Sequence, residues 1–145
     1  MNIGKKVIAI GNSLMMDDGV AVIILEKIKN ILEDKGIETI IGETDVEFCF
    51  SKLNEQDVFY IMDSTNYGNV PGTVTFKRLD DVKNIRGHRS IHSLGLMELV
   101  NIYKMDMKGY FIGIEIDRID INIGLSNILH DKVEYISRKI LDFII

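Results

Sequence analysis

Three short segments carry the residue types that polar chemistry needs, and each comes after an apolar run or a long polar loop. The first is Gly11-Asn12-Ser13-Leu14-Met15-Met16-Asp17-Asp18-Gly19, with two adjacent carboxylates between glycines. The second is Asp63-Ser64-Thr65-Asn66, and the third is Ser90-Ile91-His92-Ser93-Leu94-Gly95-Leu96. Two carboxylates and one imidazole from three loops make a mixed oxygen and nitrogen donor set, suited to nickel, zinc or a similar ion. Each residue also has a plainer reading. Asp17 and Asp18 can complement a helix dipole, worth roughly 0.3–1 kcal/mol each. Asp63 can cap a turn, and His92 can be an ordinary, partly buried residue at a helix start. Placement of all of them on one edge of a sheet favours a joint role.

A phosphate cradle is a poor reading of the first loop. A dinucleotide fingerprint needs glycines spaced G-x-G-x-x-G, and only Gly11 and Gly19 are present. Asp17 and Asp18 would also repel the anion and cancel the attraction of a helix N-terminus. No serine, cysteine or lysine has a partner spacing that suggests nucleophilic catalysis. Cys49, the single cysteine, lies in Phe48-Cys49-Phe50 and is expected to be buried rather than reactive. His88 and His130 have no comparable context and are expected at the surface.

These segments need a frame. Val7 to Ile10 is an apolar run ended by Gly11-Asn12, as in a strand buried on both faces. Helical spacing of apolar residues runs from about Asp18 to Lys35, with Gly36 as its C-cap. Ile37 to Ile41 reads as a strand, and Asp45 to Leu53 as a short helix with Thr44 as N-cap. Val58 to Met62 is a third strand, ending at Asp63. The only proline, Pro71, stands with Gly72 at a turn into Thr73 to Phe76, whose alternation suggests an edge strand. Residues 80–90 read as a polar loop, Leu94 to Tyr103 as a helix and Tyr110 to Ile116 as a strand. Ser126 caps a closing amphipathic helix through Leu141. The expected fold is a single-domain three-layer α/β/α sandwich over residues 1–145. Its sheet is five-stranded and mostly parallel, with one antiparallel or edge strand. The carboxyl ends of such strands are where sites form, and the three segments fall there.

Composition narrows the partners. The chain has 145 residues and a net charge of −5, which argues against nucleic acid or an anionic membrane as the main partner. One cysteine leaves no internal disulfide. No apolar run approaches the roughly 18 residues of a membrane span. The run after Lys5 and Lys6 is too short for a signal peptide and ends in an acidic loop. A cytoplasmic location is expected.

The first loop resembles the opening motif of hydrogenase maturation endopeptidases, which runs Gly-Asn-x-Leu-x-x-Asp-Asp/Glu-Gly. Further segments resemble that family in order along the chain. They are Gly42-Glu43-Thr44 for its Gly-Gly-Thr turn, Val58 to Asp63 for a strand ending in aspartate, and Ser90 to Leu96 for its Ser-Pro-His-x-x-Gly segment. Gly113-Ile114-Glu115 and Gly124-Leu125-Ser126 resemble its last strand and the start of its closing helix. The resemblance implies an aspartic-type peptidase that cuts a C-terminal extension from a nickel-loaded hydrogenase large-subunit precursor. It implies Asp18, Asp63 and His92 as the catalytic and metal-binding residues. The nickel would be carried by the substrate and would serve as the recognition element. The protein itself is expected as a monomer or weak dimer.

Three departures bear on substrate shape. Glu43 replaces a glycine and adds a carboxylate near the site. Ile91 replaces the usual proline, and Asp117-Arg118 follows where proline is common. A carboxylate is the expected general base, with Asp17 as a spare candidate whose more ordinary role is helix capping. Asp63→Asn and His92→Ala are expected to abolish processing and leave the fold intact, because loop ends carry little packing. Two other readings stay open: a same-fold peptidase acting on another protein, and a non-enzymatic factor that binds nickel or the precursor.

Overall fold

The computed structural model describes residues 3–82 and 92–145. Strand β1, Lys5–Ile10, shows why the first apolar run is continuous. Val7 and Ala9 enter one apolar core, Ile8 and Ile10 enter another, and all four are fully buried. A strand with helices on both faces needs apolar residues at every position rather than every second one. Strand β2 is Glu38–Glu43, β3 is Val58–Thr65, β4 is Val74–Arg78 and β5 is Lys108–Glu115. In β3, Tyr60 and Met62 join the first core while Phe59 and Ile61 join the second.

The sheet order is β2-β1-β3-β5-β4. All pairs are parallel except β4 with β5, so the edge strand after Pro71-Gly72 is antiparallel. Helices α1 (Val20–Asp34), α5 (Asn127–Asp131) and α6 (Val133–Ile144) contribute to the first core. Helices α2 (Val46–Ser51), α3 (Leu79–Val82) and α4 (Ser93–Ile102) contribute to the second. This is the expected single-domain three-layer sandwich. No helix among the described residues is long and apolar enough to cross a membrane.

The differences from the sequence reading lie at element ends. The first helix begins at Val20, and Asp17 and Asp18 sit in a 3-10 turn, Met16–Gly19, that precedes it. The cap of α2 is Asp45, which accepts from Phe48 N–H at 2.9 Å, and not Thr44. Strand β3 runs on to Thr65, so Asp63 lies inside it. Part of the expected 80–90 loop is α3, whose Leu79 and Val82 are buried. Residues 83–91, which include His88, Ser90 and Ile91, lie outside the described residues. Ser126 does cap, but it caps α5, and the closing helix is split at Lys132.

Candidate active site

From β1 the chain passes through α1 to β2 on one side, then through α2 to β3 on the other. These connections lie on opposite faces, so a crevice opens between the carboxyl ends of β1 and β3. Asp18, from the loop after β1, meets His92 there, at the start of α4. Asp18 Oδ2 and His92 Nε2 are 2.6 Å apart. Asp18 Oδ2 also accepts from Asn12 N–H at 3.2 Å, and Ser64 Oγ stands 3.4 Å from Oδ1.

Two glycines make this loop geometry available. Gly11 has φ +149°, and a Cβ there would strike the carbonyl of Asp18. A Cβ on Gly19 would strike the backbone of Ser13. The loop folds back on itself so tightly that its two ends touch through backbone, which any side chain would prevent.

Asp63 is fully buried and faces the first turn of α4. Its Oδ2 accepts from His92 N–H at 2.8 Å and Ser93 N–H at 2.6 Å, and Oδ1 accepts from Ser64 N–H at 2.8 Å. Helix α4 has no side-chain cap of its own, so a carboxylate from the neighbouring strand satisfies its orphan N–H groups. Burial nevertheless pushes the Asp63 carboxyl up to about 6, against the lowering effect of those hydrogen bonds and of His92. The His92 imidazole is held above its ordinary value chiefly by its hydrogen bond to Asp18. Its side chain is 25% exposed while that of Asp18 is 4% exposed, so the imidazole is the group that faces the solvent.

The three expected residues are therefore neighbours with different postures. Asp18 and His92 touch through their side chains, whereas Asp63 grips the backbone of His92. Among the described residues, no three His, Cys, Asp or Glu side chains are grouped as a set that could hold a metal ion. The side-chain donors in contact are one carboxylate oxygen and one imidazole nitrogen.

Two buried carboxylates have roles that the sequence reading missed. Asp17 caps no helix. Its Oδ2 accepts from Asp117 N–H and Arg118 N–H at 3.0 Å each and from Ser126 Oγ at 2.8 Å, and Oδ1 accepts from Ser126 N–H at 2.8 Å. It ties the first loop to the loop after β5. Glu115 accepts from Thr65 Oγ1, Tyr67 N–H and Gly68 N–H at 2.9–3.0 Å and so shapes the chain leaving β3. The only sequence signal for either was an acidic residue at the end of an apolar run. Glu43 is exposed at the end of β2, with φ +50°. Cys49 is buried, and burial pushes its thiol up to about 11, so it is not a nucleophile. His130 is exposed, as expected.

Residues 22–143 match the family model of the hydrogenase maturation protease HycI, a span that includes Asp63 and His92 and begins after Asp18. The chain belongs to the hydrogenase maturation protease family. It is accordingly a peptidase. Its fold is similar to the hydrogenase maturating endopeptidase HybD from Escherichia coli, with a TM-score of 0.80 at 22% identity. That likeness covers 98% of this chain and 92% of the other. It is also similar to the [NiFe] hydrogenase maturation protease HybD from Thermococcus kodakarensis, with a TM-score of 0.76, 23% identity and coverage of 97% and 99%. A solution structure of an endopeptidase from Escherichia coli aligns with a TM-score of 0.78 at 24% identity, covering 97% and 91%. A search of curated protein sequences gives no match.

Proposed function

We propose that this maturation protease removes the C-terminal extension of a nickel-loaded hydrogenase large-subunit precursor, and that the nickel arrives with the substrate. The observation that carries the reading is the 2.6 Å contact between Asp18 Oδ2 and His92 Nε2 at the β1/β3 crevice. One carboxylate oxygen and one imidazole nitrogen bind a free divalent ion weakly, because most of its coordination positions would remain with water. The same pair suffices for an ion that already brings ligands from the precursor. The protein then senses nickel without owning it.

Asp18 and His92 are the groups that contact the incoming metal in this reading, and they exchange their mutual hydrogen bond for it. Asp63 positions His92 by holding its backbone N–H and that of Ser93. Hydrolysis adds a water oxygen to the scissile carbonyl carbon and delivers a proton to the departing amine nitrogen. Asp17 is turned to the loop after β5, whereas Asp18 and Asp63 both bond His92, so these two are the carboxylates that carry that proton, an aspartic-type arrangement. With its carboxyl near 6, Asp63 changes protonation close to neutral pH, where a general acid–base works best.

The test is mass spectrometry of the precursor incubated with the protein, once nickel-loaded and once nickel-free. Loss of the tail from the loaded form alone is the expected result. Cleavage of both forms would remove nickel from the recognition step, and cleavage of neither would sink the assignment of substrate.

A further inference from the structure

The loop after β5 presents isoleucine at every second position, Ile119, Ile121 and Ile123, and leaves these side chains in solvent. Ile121 is 86% exposed and Ile123 is 78% exposed, beside Leu14 of the first loop at 61%. Exposure of this kind normally accompanies poorly anchored backbone, yet this backbone is tied down. Asp17 receives Asp117 N–H and Arg118 N–H at one end and Ser126 at the other. Between them, Asn122 bonds the first loop through Met16 N–H to Asn122 O at 2.9 Å and Asn122 N–H to Leu14 O at 3.1 Å. Ile121 N–H and Ile123 N–H are taken by the Asp120 and Asn122 side chains. The loop is thus held in place with its apolar side chains outward, and several of its backbone donors are already used.

Ile123 also lines an open cavity of about 460 Å3, whose wall mixes the apolar Met16, Leu125 and Ile128 with the polar Arg118 and Asn127. That volume is in the range of about 300–1,000 Å3 typical of binding pockets. The cavity sits on the carboxyl edge of the sheet, and Met16 is two residues from Asp18.

We infer that this loop and cavity form a specificity surface that docks apolar side chains of the precursor's C-terminal segment beside the site. The inference rests on the precursor being the substrate. A polypeptide is the occupant that fits, because the Asp17 hydrogen bonds and the Met16–Asn122 pairing set this loop against the loop that carries Asp18, where the cut chain must lie. Recognition is by side-chain burial rather than strand addition, since the N–H groups of Ile121, Asn122 and Ile123 are already bonded.

The test compares the wild-type protein with an Ile121→Ser, Ile123→Ser double variant. Both side chains are exposed, so the thermal midpoint is expected to stay within about 2 °C. KM for the nickel-loaded precursor is expected to rise at least tenfold with kcat within twofold. An unchanged KM overturns the inference. Light scattering of both proteins supplies the second arm: a wild-type dimer that the double variant breaks would assign the patch to a second copy and overturn it too. If the wild type binds the precursor without cutting it, the peptidase reading fails. Loss of that binding in the double variant would still uphold the docking surface, and retained binding would overturn it.

Discussion

Asp17 and Asp18 are adjacent carboxylates, and the structure gives them unrelated work, which a single substitution can separate. Asp17→Ala strips an acceptor from four donors: Asp117 N–H, Arg118 N–H, Ser126 N–H and Ser126 Oγ. The two donors of Ser126 are buried, and each buried donor left unpaired costs about 1–3 kcal/mol, so they cost about 2–6 kcal/mol together. The other two are partly exposed and can take water. Removing a buried charge recovers part of this cost, and the expected net is about 1–4 kcal/mol. For a chain of this length, 1 kcal/mol moves the midpoint by about 2–4 °C, which gives a fall of roughly 2–16 °C. Because that loss can take most of the stability of a marginal fold, Asp17→Asn is the companion variant. Its amide oxygen keeps the Oδ2 contacts and loses the one to Ser126 N–H, for about 1–3 kcal/mol. Calorimetry gives the midpoints, and precursor cleavage is measured well below them. The asparagine variant is expected to be destabilised, to cut with kcat within a few-fold of wild type and to show a raised KM. A variant with an unchanged midpoint and no cleavage would refute this and make Asp17 the general base.

Other perturbations have equally definite outcomes. Asp18→Asn and His92→Ala are expected to reduce tail removal at least a hundredfold, by mass spectrometry, with midpoints within about 4 °C of wild type. Asp63→Ala, by contrast, is expected to lower stability by about 2–4 kcal/mol in urea unfolding, because it leaves the first turn of α4 without its acceptor. The purified protein is expected to lose added nickel on desalting, as read by elemental analysis, since only two side-chain donors meet. His92 stability linkage has a clear sign: its folded value is raised by Asp18, so its contribution is full below about 6.5 and is lost as pH rises through the raised value. Asp63 acts in the same direction, with a contribution full below 3.8 and lost as pH rises through about 6. His92→Ala should therefore flatten the decline in midpoint above pH 6.5, and an identical profile in the variant would contradict the pairing.

The buried strands were legible because a sheet covered on both faces imposes a continuous apolar run, and Val7 to Ile10 and Val58 to Met62 have no other simple reading. The three polar segments were legible because strand ends are where a parallel sheet exposes loops. Element boundaries were harder. Thr44 and Asp45 are both good caps, and the choice depends on which oxygen reaches Phe48 N–H, a matter of backbone direction. The posture of Asp63 was not legible, since two of its three donors lie 29 and 30 residues away at the start of α4. For the same reason, the expectation that loop ends carry little packing fails: Asp17, Asp18, Asp63 and Glu115 are all buried. A sequence shows that an acid follows a strand, but only the fold shows which N–H groups it faces.

The Asp17 hydrogen bonds span 100, 101 and 109 residues of chain. Contacts of such separation form late, because the intervening chain must be ordered before the donors can arrive. During synthesis, the first loop would leave the ribosome long before Ser126 exists, and until then Asp17 is a solvated carboxylate beside an unfinished crevice. A nascent or truncated chain ending before residue 126 therefore lacks the Ser126 half of the brace that joins its first and last loops. The first and last loops are thus fully joined only once Ser126 has been made.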